Sequence, residues 1–189
     1  QGACFGEKLG WERPNWFAPE GVTPEDEYSF GEQNWVRYSG DEHRAAREAV
    51  AVFDQTSFGK FIVEGADSAR ALEWICANRI DRPVGSVIYT QLLNSRGGIE
   101  SDLTVTRLAP DRFYLVTGTG FVTHDYHWIQ RSLPEHLDVR ITDQTDRFAV
   151  LSVMGPRSRE LLARVASENV DNTALPFAAS RQLQVTSSV

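Results

Sequence analysis

Asn94-Ser95-Arg96-Gly97-Gly98-Ile99-Glu100-Ser101-Asp102-Leu103-Thr104-Val105 reads as a glycine-paired turn running into a strand that carries two carboxylates. Upstream, Val87 to Leu93 is rich in apolar, β-branched and aromatic residues. Downstream, Ile99 to Leu108 sets Ile99, Leu103 and Val105 at even spacing, so both flanks read as strands and Ser95 to Gly98 as a hairpin loop. If pairing begins with Asn94 opposite Ile99, Gln91 faces Asp102 and Tyr89 faces Thr104. Tyr89 and Asp102 are then diagonal neighbours roughly 7–8 Å apart on one face. A slip of one residue sends them to opposite faces. The alternation of Glu100, Asp102, Thr104 and Thr106 also fits the polar half of a strand that simply faces water.

With 189 residues, 41% hydrophobic and 11% aromatic, the chain is long enough for one ordinary globular domain with a sizeable core. Its net charge of −7 and pI near 5.1 speak against a nucleic-acid-binding surface. An anionic ligand would need a local basic patch, and Arg79, Arg82, Arg96 and Arg107 flank the strands of the hairpin. Cys4 and Cys76 form neither a disulfide framework nor a zinc spacing, and Cys76 is expected as a small core residue. No apolar run approaches a membrane span, and no membrane partner is expected. A reducing compartment fits: the cytoplasm, or the mitochondrial matrix in a eukaryote.

Residues 1–40 form an aromatic-rich arm with Trp11, Trp16, Phe17, Tyr28, Phe30, Trp35 and Tyr38 among prolines, glycines and acids, and it is expected to be irregular. Residues 41–189 form the domain proper. A helix is expected from Asp41, as N-cap, to about Phe53, and a second from near Asp67 to Cys76. Strands are expected over Arg112 to Thr117, Val139 to Thr142 and Phe148 to Met154, and helices over Thr123 to Leu133 and Pro156 to Ala166. Strand pairs interleaved with helices, without βαβ alternation, predict an α+β fold of mixed and antiparallel sheets with packed helices. Gly118-Thr119-Gly120 lacks a third glycine at dinucleotide spacing, so no flavin site is expected within the chain. His124-Asp125-Tyr126-His127 offers two histidines three apart, but nothing supplies further ligands and no metal site is expected. Ser57, Ser95 and Ser101 have no histidine at a nucleophile's motif spacing.

The Asn-x-x-Gly-Gly-x-x-x-Asp-x-x-Val spacing of Asn94, Gly97, Gly98, Asp102 and Val105 resembles the catalytic loop and strand of the aminomethyltransferase (glycine-cleavage T-protein) family. Blocks at Glu42-His43, Arg47-Glu48, Phe53-Asp54, Gly59-Lys60 and Val63-Glu64-Gly65 follow in the family's order. Leu9-Gly10-Trp11-Glu12-Arg13-Pro14-Asn15-Trp16-Phe17 resembles the segment that opens the folate region of dimethylglycine and sarcosine dehydrogenases. The resemblance implies tetrahydrofolate as the one-carbon acceptor, Asp102 as the catalytic acid–base group, and Tyr89, Asn94 and Arg96 as folate-binding residues. It further implies a small methylated amine or its iminium as donor, and a flavin-containing domain or subunit as partner. A stand-alone aminomethyltransferase fragment and a non-catalytic scaffold of the same fold are the competing readings.

Where the family shows two successive aspartates, this chain has Ser101-Asp102. The family's Tyr-x-Gly-Glu-x-Gly block is absent before Val189, so the chain is expected to be the N-terminal part of such a domain. A strand over Arg181 to Val185 is expected at an open sheet edge, where it would promote self-association.

Overall fold

The computed structural model describes residues 2–185. The chain divides into two compact units, one from residues 2–54 and 151–165, the other from residues 55–150 and 166–185. In chain order the elements are β1 (Ala3–Lys8), β2 (Trp11–Phe17), α1 (Val36–Glu48), β3 (Ala51–Asp54), β4 (Gly59–Glu64), α2 (Ser68–Ile75) and β5 (Val87–Leu93). They continue with β6 (Ile99–Ala109), β7 (Arg112–Thr117), α3 (Val122–Ser132), β8 (Arg140–Asp143), β9 (Leu151–Met154) and α4 (Ser158–Val165).

In the first unit, β1 and β2 form an antiparallel hairpin where an irregular arm is expected from the sequence. Leu9 and Gly10 both take positive φ, which closes a two-residue loop with the twist a hairpin needs. Trp16 is buried, stacks on Tyr38 with centroids 5.4 Å apart, and donates its indole N–H to Asp26 at 2.8 Å. Trp35 and Tyr38 pack on the same cluster, so α1 begins at Val36 and Asp41 lies inside the helix rather than capping it. Phe53 is not in that helix either. Residues 51–54 leave it to pair antiparallel with 151–154, a long-range contact that overrides the local helical spacing.

The second unit is a five-stranded antiparallel sheet in the order β5-β6-β7-β4-β8. β4 lies between β7 and β8 and is buried along nearly its whole length, as an apolar run of Phe61, Ile62 and Val63 requires. One sheet face carries Phe61, Val63, Leu92, Leu103, Val105, Phe113 and Leu115, covered by Leu72 and Ile75 of α2 and Ile129 of α3. In α2 the buried residues Ser68, Ala71, Leu72 and Ile75 fall at helical spacing on one stripe. The opposite face carries Tyr89, Asp102 and Thr104, because side chains alternate along each strand.

The free edge of β5 is covered by its own loops. Ala77 N–H donates to Gln91 O, Val87 N–H donates to Ala178 O, and Ser86 bridges Ala179. No strand runs over residues 181–184. Val185 makes only an isolated antiparallel bridge to Ala166, in place of the expected Arg181 to Val185 strand.

Candidate functional site

The β5–β6 hairpin builds the site. Gly97 has φ +78°, a left-handed turn conformation that costs glycine nothing, and Gly98 lies where a Cβ would sit 2.9 Å from the Asn94 amide. That closeness has a use. Asn94 Oδ1 accepts from the N–H groups of Arg96 and Gly98, both at 2.9 Å, while its amide donates to Glu100 at 2.8 Å. The loop is thus closed around one side chain.

Pairing runs Leu93 with Ile99, then Leu92 with Ser101, Gln91 with Asp102 and Tyr89 with Thr104. The shift between Leu92 and Leu93 leaves Glu100 as an extra residue, a bulge at the strand's entry. Past it, the register is the one expected from pairing Asn94 with Ile99, although Ile99 itself pairs with Leu93. Tyr89 and Asp102 share a face, and the phenol donates to Asp102 Oδ2 at 2.7 Å. The carboxylate that accepts this bond holds the Tyr89 pKa above its ordinary value, with desolvation adding to the rise.

Both residues line a cavity of about 510 Å3. Its walls are mostly apolar, from Phe58, Tyr89, Ile99, Leu103, Val116 and Phe121. Glu100, Asp102 and Asp125 add three carboxylates, with no lysine or arginine in the described lining. The volume suits a small heterocyclic ligand, and the chemistry suits one that offers N–H donors or a transferable proton.

Asn94 and Arg96 do not line this cavity. Asn94 braces the loop, and Arg96 is exposed on the loop with its backbone N–H bound to Asn94. Arg107 is likewise structural: its guanidinium donates to Asp81, Arg82 O and Pro110 O and lies 5.3 Å from the Phe113 ring centroid.

Asp125 belongs to the site although local sequence does not single it out. It is fully buried on α3 and accepts from Ser101 Oγ at 2.7 Å and from Thr117 Oγ1, and it pairs with His124 Nδ1 at 2.9 Å. The other ring nitrogen of His124 lies 3.7 Å from Glu100. The only local signal was Ser101 standing where the family shows an acid, which frees a hydroxyl to donate to a buried carboxylate. Among the described residues, no group of three or more His, Cys, Asp and Glu side chains is placed to hold a metal ion. No helix among them is long and apolar enough to cross a membrane.

Comparison with known proteins bears on this geometry. The chain is 38% identical over 97% of its length to 4-methylaminobutanoate oxidase (formaldehyde-forming) of Paenarthrobacter nicotinovorans, covering 22% of that protein. It is 35% identical over 96% of its length to rat mitochondrial dimethylglycine dehydrogenase, covering 21% of it. To mouse pyruvate dehydrogenase phosphatase regulatory subunit it is 31% identical over 88%, covering 20%. The chain therefore spans about a fifth of the length of these curated relatives. The crystal structure of the glycine cleavage system aminomethyltransferase T from Bartonella henselae superposes with a TM-score of 0.66 at 25% identity, over 86% of this chain and 40% of that one. The two share an α+β fold of helices on antiparallel sheet. The family model described as GCVT N-terminal domain matches residues 1–188, and the chain belongs to that family.

Proposed function

We propose that this chain is the folate-binding region of an enzyme that moves a one-carbon unit from an N-methylated amine, or its iminium, to tetrahydrofolate. One observation carries the reading: the Tyr89–Asp102 hydrogen bond in the lining of an acidic, aromatic-walled cavity. Asp102 accepts or relays the proton of the attacking folate nitrogen. Tyr89 holds Oδ2, so that Oδ1 has no protein partner among the described residues and stays available to the ligand. Phe58, Phe121 and the Tyr89 ring supply flat walls for the pterin and aminobenzoyl rings. Tetrahydrofolate, when bound, supplies the nucleophilic nitrogen, and the protein's part is placement and proton transfer.

Residues 41–189 carry the folate domain in this reading, and residues 1–40 join it to the rest of the enzyme. The flavin chemistry that makes an iminium belongs to a separate domain or subunit. The names of the relatives point to N-methyl amino acids as donors, and a reducing compartment, cytoplasmic or mitochondrial, accords with the two mitochondrial relatives.

A non-catalytic module is the second reading, favoured by the relative named as a phosphatase regulatory subunit. Transfer assays decide between them. Asp102→Asn is expected to lower tetrahydrofolate-dependent one-carbon transfer by about 10²-fold or more, the scale of a positioned acid–base group. Its thermal unfolding should stay close to that of the parent protein, since Asp102 is exposed. Transfer equal to the parent's, or absent from both while folate also fails to bind, defeats the proposal.

A further inference from the structure

A second cleft, of about 380 Å3, shares Tyr89 with the cavity and is bordered by the 78–82 loop, the start of β5 and Ala178. Arg79 and Arg82 line it, and no carboxylate does. Neither guanidinium has an ion pair among the described residues. Unpaired surface arginines are commonplace, but the anchoring of this loop is not.

Asn78 binds β5 twice, through its N–H to Thr90 Oγ1 at 3.0 Å and its amide to Tyr89 O at 2.6 Å. Ile80 is fully buried, and Glu73 accepts from the backbone N–H groups of Ile80 and Asp81. Asp81 is the one acid between the two arginines in sequence. Arg107 takes it at 2.7 Å and at the same time holds Arg82 O at 2.7 Å. The half-buried Arg107 thereby neutralises the local acid and fixes the backbone, leaving Arg79 and Arg82 without an ion pair among the described residues on a loop fastened at both ends.

Set beside the cavity, the charges separate cleanly. Tyr89 borders both: Glu100, Asp102 and Asp125 line the cavity with no lysine or arginine in the described lining, and Arg79 and Arg82 line the cleft with no acid. A ligand spanning both is an uncharged ring system with N–H donors that bears carboxylates at its far end. We propose that the Arg79/Arg82 cleft is the subsite for the glutamyl carboxylates of the folate, and that it fixes which way round the ligand enters. This rests on the folate reading and adds the tail site to it. Reversed, the carboxylates would face three acids in the cavity, so the field of the site admits one orientation.

Equilibrium binding of tetrahydrofolate and of its α,γ-diamide, which keeps the rings and removes both charges, tests the assignment on the parent chain and on an Arg79→Gln/Arg82→Gln variant. The parent is expected to prefer tetrahydrofolate by about tenfold at low salt, as one to two partly exposed charge-assisted contacts would give. The preference should shrink with rising ionic strength. The double variant should bind both ligands with the affinity the parent shows for the diamide. Equal parental affinity for the two ligands, or a preference that survives in the variant, overturns the tail site and leaves the folate reading standing. Failure of the parent to bind either ligand overturns both.

Discussion

A phenol that donates to a carboxylate ties the titration of one group to the charge of the other. Tyr89 is neutral below its raised pKa, and the main cause of the rise is the hydrogen bond to Asp102. A raised pKa in the folded state means that the bond's stabilisation is fully present below the unfolded tyrosine value and is lost as pH rises through the folded one. The window therefore opens above pH 10, the ordinary value. Spectrophotometric titration should find one tyrosine ionising late, and Asp102→Asn should bring it back toward its ordinary position. A late tyrosine unaffected by that substitution would show that the pair does not form in solution. At this scale the sequence is informative: the two residues are two positions off a shared register line, and the alternation of β5 and β6, taken with that register, puts them on one face. Asp125 was invisible because its partners, Ser101 and Thr117, come from strands whose packing against α3 leaves no mark in local spacing.

The hairpin and α3 act together as an element-scale clamp on β6. Asn94 closes the loop, Glu100 is the bulged residue, and Ser101 is drawn to the buried Asp125 on the side of the strand away from Asp102. Two substitutions probe it from opposite ends. Gly98→Ala places a Cβ 2.9 Å from the Asn94 amide, which must yield, and is expected to cost about 1 kcal/mol, the worth of a hydrogen bond. Asp125→Ala leaves two buried hydroxyls without their acceptor, at about 1–3 kcal/mol each. Urea unfolding should rank Asp125→Ala well below Gly98→Ala, and equal stability for parent and Asp125→Ala would show that water replaces the carboxylate at no cost. Both strands and the glycine turn were legible in the residues; the bulge was not, since an extra residue in a ladder is defined only by its partner strand. α1 starts earlier than its capping chemistry predicts for a related reason. Aromatic packing of Trp35 and Tyr38 set its start, where capping chemistry alone favoured Asp41.

Across the whole molecule, the α+β class and the order of most elements follow from periodicity and turn residues, whereas the partnership of β3 with β9 joins residues about a hundred positions apart and had no local signature. That partnership makes the two units discontinuous in sequence: the chain leaves the first at residue 54, completes most of the second, and comes back at residue 151. The molecule is stitched rather than strung. A cut after Asp54 cannot release a finished piece, because residues 151–154 would stay with the wrong fragment as a strand with no mate, its N–H and C=O groups open to any passing edge. Residues 55–185 produced alone should scatter light as they associate, and residues 2–54 added in trans should suppress it; a monomeric fragment would show that β9 needs no partner. For the same reason the N-terminal unit could not be gained or shed by simple addition at a chain end. Such a change would require two insertions or two losses at once, which ties the aromatic hairpin and the five-stranded sheet to a common history.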